Sequence, residues 1–162
     1  MGLFGKKKKF ELLAVADGKA FPLSEVEDEV FSSGMMGRGV AIRPTGNIVV
    51  APAAGTVTVA MKESGHALNL ALKNGMNLLI HVGIDTVKLK GHGLHCYVGA
   101  GEEVETGAKL IRFDKEEIEN AGLKPDIMEI VLDDEASAKH PLIFRENISV
   151  KAGITVIAEE AD

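Results

Sequence analysis

The chain has 162 residues, of which 46% are apolar and 26% charged, with a formal net charge of −6. That length suits one domain with one well-formed core, and the composition is that of an ordinary globular chain rather than a disordered or membrane-spanning one. Without Lys6, Lys7, Lys8 and Lys9 the balance would be −10, and so acidic a body argues against nucleic acid, whose phosphates need a basic face.

Residues 1–9 read as a basic, flexible N-terminal tail and residues 10–162 as a single domain. No long apolar segment and cleavage site follow the lysines, so no secretory signal is expected, and no apolar run reaches transmembrane length. Met1 to Lys6 resembles a myristoylation start, but Lys6 stands where Ser or Thr is required, so lipidation is rejected. Leu3 and Phe4 beside the lysines offer at most weak contact with an anionic membrane, about 1 kcal/mol per lysine. The single cysteine, Cys96, excludes an internal disulfide and a thiolate metal cluster, which makes the cytoplasm the default address.

Eighteen glycines, no Trp and one Tyr favour short strands joined by tight turns. Phe10 to Ala16 is the first strand candidate, ended by Asp17-Gly18. A short helical piece is expected from Pro22 or Ser24 through Glu25 to Glu29. Ile48 to Ala51 follows the turn Pro44-Thr45-Gly46-Asn47. Thr56 to Met61 alternates with period two and places Val57, Val59 and Met61 on one face. His66, Leu68, Leu70 and Leu72 share a face of the next run. Met76 to Val82 is apolar on both faces, as befits a strand in the middle of a sheet. Asp114, with Glu117 three residues on and Gly122 as the stop, marks one helix. A loose repeat, Val-x-x-Gly-x-x-apolar, begins at Val15, Val104 and Val150, and reads as three hairpins turning on Gly18, Gly107 and Gly153. Together these predict a mostly β chain, an antiparallel β-sandwich or barrel with one or two short helices.

The residues that carry chemistry cluster around Leu79-Ile80-His81-Val82-Gly83-Ile84-Asp85. An isolated His on an apolar strand is usually structural. Here Gly83 leaves backbone exposed beside the ring, Asp85 offers a carboxylate, and His66 offers a second imidazole on what reads as a neighbouring strand. A neutral imidazole is a good nucleophile near pH 7. Phosphoryl transfer asks only for such a nucleophile in line, donors for the phosphoryl oxygens and exclusion of water. A zinc-dependent hydrolase using His66, His81 and Asp85 is the alternative, with His92 and His95 as further nitrogens. A third reading takes Lys62 as the modified lysine of a biotin- or lipoyl-type carrier hairpin, because Val50 to Val57 resembles the opening of such domains; the chain is about twice the length such a module needs, and the far-side methionine is missing. His92, His95, His140 and Cys96 read as surface or packing residues.

Several ordered segments resemble the glucose-type enzyme IIA of the bacterial phosphoenolpyruvate-dependent sugar phosphotransferase system. They are Val30-Phe31-Ser32, Met35 to Asn47, Val50-Ala51-Pro52 through Gly55-Thr56-Val57, His66-Ala67, His81 to Gly91, and Gly107 with the helix start at Phe113-Asp114. The resemblance spans roughly residues 10 to 158. It implies a phosphocarrier without an obligatory cofactor. In the family, the histidine phosphocarrier protein HPr gives its phosphoryl group to a IIA histidine, which passes it to a cysteine on the IIB domain of the sugar permease. By position His81 matches the phosphorylated histidine, and His66 the imidazole that stabilises the group. Asp28 and Asp85 match carboxylates at the rim, and Ser64 supplies a hydroxyl usually drawn from threonine. Val30, Met35, Met36, Leu68 and Val87 match the apolar docking surface. Leu68 and Val82 stand where phenylalanine is frequent, Gly65 where a larger residue is, and Glu27 where proline is; these departures touch docking rather than chemistry. In some bacteria the unphosphorylated family member regulates permeases or a glycerol kinase, at times with a zinc bridging the two histidines. A monomer is expected, and the start at Met1 favours a free-standing protein over an excised permease domain.

Overall fold

A computed structural model describes residues 9–162; the membrane contact expected of the tail falls outside them. Among these residues, three antiparallel sheets contain the strands. Eight strands form the largest: β2 (Gly18–Pro22), β3 (Gly37–Pro44), β5 (Gly55–Ala60), β6 (Ala67–Leu72), β7 (Asn77–Val82), β9 (Glu103–Val104), β11 (Ile127–Leu132) and β13 (Ile148–Val150). Their spatial order is β13-β2-β3-β11-β7-β6-β5-β9. One small sheet joins β1 (Glu11–Leu13), β14 (Val156–Glu160) and β12 (Leu142–Phe144); the other joins β4 (Ile48–Val50), β10 (Lys109–Phe113) and β8 (Leu94–Cys96).

The main core lies between one face of the large sheet and the two small sheets. Leu68, Leu70, Leu72, Leu78, Ile80 and Val82 enter it from β6 and β7, against Val49, Leu110, Ile111, Phe113, Ile157 and Ala158. A smaller cluster occupies the opposite face, where Ala41, Leu79, Met128 and Ile130 meet Phe21, Leu23, Val26, Phe31 and Met36. This double burial is why Met76 to Val82 carries apolar residues at odd and even positions alike.

Among the described residues three short helices are present, one more than the upper expectation: α1 (Glu29–Ser32), α2 (Lys115–Asn120) and α3 (Glu135–Lys139). The expected acidic helix near Ser24 divides in two. A 3-10 turn covers Leu23–Glu25, Val26 is extended, and α1 starts afresh because the Asp28 carboxylate accepts from the Val30 amide at 2.9 Å. Asp114 caps α2 as expected, accepting from the Glu117 amide at 3.1 Å. The unexpected α3 has a capping box built from Asp134 and Ser137, with Ser in the place of the usual Glu or Gln.

The Val-x-x-Gly repeat forms no hairpins. Strands on either side of each match belong to different sheets: β1 pairs with β14 while β2 pairs with β3 and β13, β9 pairs with β5 while β10 pairs with β4 and β8, and β13 pairs with β2 while β14 pairs with β1 and β12. Each match is therefore a corner where the chain crosses the core. The glycines at two corners, Gly107 (φ +87°) and Gly153 (φ +68°), take left-handed backbone to make the change of direction.

Candidate functional site

His81 lies on β7, fifth strand of eight, opposite Ala67 of β6 and Met128 of β11. Alternation along β7 sends Leu78, Ile80 and Val82 into the main core, so Leu79 and His81 emerge on the other face. Phe31 of α1 packs its ring 4.9 Å from the His81 ring, tilted by 55°. His66, in the bend before β6, stands nearly perpendicular to His81 with ring centroids 4.9 Å apart. The sequence reading brings the two imidazoles together by pattern, and the sheet does so through the β6–β7 register.

Both rings have partners that restrict their protons. His81 Nδ1 is 2.9 Å from the Gly83 carbonyl. A carbonyl only accepts, so Nδ1 carries the hydrogen and Nε2 keeps its lone pair. His66 Nδ1 is 2.6 Å from the Ser64 hydroxyl, which is itself buried. Burial holds the His81 imidazole well below the usual range, to about 4, with His66 adding to the effect; the Gly83 carbonyl, Asp28 and Asp85 pull weakly the other way. Burial lowers His66 too. At neutral pH both imidazoles are uncharged.

Asp28 and Asp85 are near enough to influence His81 electrostatically but neither bonds to it. Asp28 is engaged in capping α1. Asp85 takes left-handed backbone (φ +61°) before the 3-10 turn Thr86–Leu89 and lies 3.8 Å from the Lys88 ammonium. Gly83 (φ +79°) makes the turn between β7 and Asp85, and a Cβ there would collide with Thr86.

An apolar surface surrounds the histidines. Val30, Met35 and Val87 are 47%, 71% and 51% exposed, and Met36 packs partly into the small cluster. Leu68 borders the hollow beside the histidines but exposes almost nothing to it: it is 1% exposed and its side chain packs in the main core. Val59 and Met61 take its place. Two residues of β5 oppose one of β6 between Val57 and Val59, and this bulge reverses the alternation. Val57 therefore stays in the core, while Val59 and Met61 turn out to line a hollow of about 330 Å³ with Phe31, Met36, His66 and His81. A regular period of two hides that change of face. Phe31 is a further residue of the site that the sequence pattern does not assign to it, although it lies in the segment Val30-Phe31-Ser32.

The zinc triad is not assembled. Among the described residues no group of three His, Cys, Asp or Glu side chains is placed to hold a metal; Asp85 faces Lys88, and His92 and His95 are exposed, with His95 against Tyr97. The Lys62 ammonium donates to the Cys96 carbonyl at 3.3 Å, tied down where a carrier lysine would swing free. Cys96 is buried and His140 faces Glu160. No helix among the described residues is long and apolar enough to cross a membrane.

Comparison with known proteins identifies the fold and the family. Residues 10–137 match the family described as phosphoenolpyruvate-dependent sugar phosphotransferase system, EIIA 1. The chain is 38% identical to the glucose-specific EIIA component of Bacillus anthracis over 95% of its length and 88% of that protein. It is 48% identical to the glucose-specific EIIBCA component of Corynebacterium glutamicum, covering 70% of this chain but spanning only 17% of that longer protein. The fold superimposes on the glucose permease IIA from Mycoplasma capricolum with a TM-score of 0.85 at 33% identity, over 94% of this chain and 96% of the other. With a mostly antiparallel β fold and a family match running through both histidines, the chain belongs to the EIIA 1 family of the sugar phosphotransferase system, whose members are phosphocarrier components of sugar transport.

Proposed function

We propose that His81 is the phosphoryl acceptor, that HPr is its donor, and that a cysteine on the IIB domain of a glucose-type permease is its acceptor. The observation that carries this reading is the hydrogen bond from His81 Nδ1 to the Gly83 carbonyl, which leaves Nε2 as a neutral nucleophile on the apolar face. In the loading step the Nε2 lone pair attacks the phosphorus of the donor's phosphohistidine. The new N–P bond forms as the donor's N–P bond breaks, and that electron pair returns to the donor imidazole. In the unloading step a cysteine thiolate takes the phosphorus, and Nε2 recovers its lone pair.

His66 supports the group during transfer. With Ser64 donating to Nδ1, the neutral ring carries its proton on Nε2 and offers it to a phosphoryl oxygen. Asp28 and Asp85 oppose accumulating negative charge beside His81, which favours handing the group on. The exposed Val30, Met35, Val59, Met61 and Val87 give a docking protein apolar surface to cover, excluding water from the phosphohistidine. This chemistry calls on no obligatory cofactor. A regulatory client that bound the unphosphorylated face would find two imidazoles able to share a zinc with ligands of its own. The protein acts in this scheme as a monomer in the cytoplasm.

Intact mass after incubation with phosphoenolpyruvate, enzyme I and HPr tests the reading. One acid-labile phosphoryl adduct is expected; a folded sample that takes none from competent donors refutes it.

A further inference from the structure

Thr86 is fully buried, and nothing in the transfer chemistry above uses it. Its hydroxyl donates to the Val82 carbonyl. Val82 joins the two histidines: it follows His81 directly, and its amide donates to the His66 carbonyl at 2.7 Å. The Thr86 methyl fills the space over Gly83, where an added Cβ would fall 2.2 Å from the methyl and 3.1 Å from the hydroxyl oxygen. On its other side the same turn is tied to the strand edge before β11. The Gly83 amide donates to the Asp126 carbonyl at 2.8 Å, and the Ile84 amide to the Lys124 carbonyl at 2.9 Å. With those amides occupied and the Val82 carbonyl held, the peptide between Gly83 and Ile84 has little freedom to rotate. Its carbonyl faces His81 Nδ1.

We propose that Thr86 is a positioning residue for His81, a latch whose hydroxyl fixes the turn so that the Gly83 carbonyl keeps the proton on Nδ1 and Nε2 stays free to react. The proposal rests on the phosphocarrier reading for its consequence, whereas the latch itself concerns only the resting protein. A threonine needed for packing alone would be replaced without loss by valine, which has nearly the same shape. Loss of the hydroxyl instead leaves the Val82 carbonyl without its donor, and the turn must shift to satisfy it. Serine keeps the hydroxyl and surrenders only the methyl.

The test uses the full-length protein and the variants Thr86→Val, Thr86→Ser and Thr86→Ala. Imidazole ¹⁵N shifts of His81 report the tautomer in the unphosphorylated protein, and the rate of phosphoryl uptake from HPr reports the consequence. The latch predicts a single Nδ1–H tautomer in the wild type and in Thr86→Ser. It predicts a mixed population in Thr86→Val, with uptake slowed about tenfold as the reactive form becomes scarce and misaligned. If Thr86→Val does not fold, Thr86→Ala against Thr86→Ser makes the same contrast. An unchanged tautomer in the hydroxyl-less variants overturns the latch, whether or not uptake slows. Should the wild type take no phosphoryl group, the phosphocarrier reading fails, while the ¹⁵N comparison still decides whether Thr86 sets the tautomer.

Discussion

The two faces of the large sheet carry one buried or half-buried titratable side chain each, and those groups pull stability in opposite directions with pH. On the core face, Glu129 of β11 is fully buried; one carboxyl oxygen accepts from the Val15 amide at 3.1 Å and the other has no partner. Burial pushes its carboxyl well above the usual range. On the site face, burial pushes the His81 imidazole down to about 4. Burial favours the neutral form of both groups, but Glu129 holds a proton that the unfolded chain releases, and His81 refuses one that the unfolded chain takes. Stability from the Glu129 face falls as pH rises above about 4.5; stability from the His81 face is complete above about 6.5 and is lost as pH falls towards 4. The lesson is that burial favours a neutral group for packing on one face and, on the other, beside an open hollow, favours one in the form the proposed chemistry needs.

The largest effect should separate the faces outright. His81→Gln is expected to abolish the phosphoryl adduct while moving stability by no more than about 1 kcal/mol. Its neighbour Ile80, fully buried on the core side, should do the reverse: Ile80→Ala costs about 2–5 kcal/mol, with the folded fraction still taking the group. Denaturant melts beside intact-mass assays check both, and a destabilised His81→Gln that keeps the adduct would break the comparison. Next comes His66→Gln, which should load but unload to a IIB partner on the order of a hundredfold more slowly. Single-turnover transfer measures this, and equal unloading removes His66 from the mechanism. Smallest is Glu129→Gln. It should raise Tm at pH 8 by about 2–4 °C, the shift that ~1 kcal/mol makes in a domain this size, and flatten the decline between pH 5 and pH 8; a decline that persists assigns it to another group.

The candidate site was largely legible in the sequence because several of its parts are local. His81, Gly83 and Asp85 fall within one strand end and turn, His66 reads as an imidazole on the neighbouring strand, and the family resemblance supplies Asp28 and Ser64. Features set by non-local pairing were not legible. The β5 bulge depends on register against β6, so Val59 and Met61 read as sharing the face of Val57 when they turn to the opposite one. The Val-x-x-Gly corners look like hairpins until the partner of each strand is known. β11 gave no expectation, since Glu129 interrupts an apolar run and its compensating bond comes from Val15, 114 residues away. The α3 capping box escaped because serine fills the place of a carboxylate or amide.

The most direct measurement is the position of the phosphoryl group itself, read by ³¹P–¹⁵N coupling in the protein loaded through HPr with ¹⁵N-labelled imidazoles. Coupling to Nε2 of His81, with Nδ1 still protonated against Gly83, is the predicted result. Coupling to Nδ1 of His81, or to any nitrogen of His66, would contradict the account.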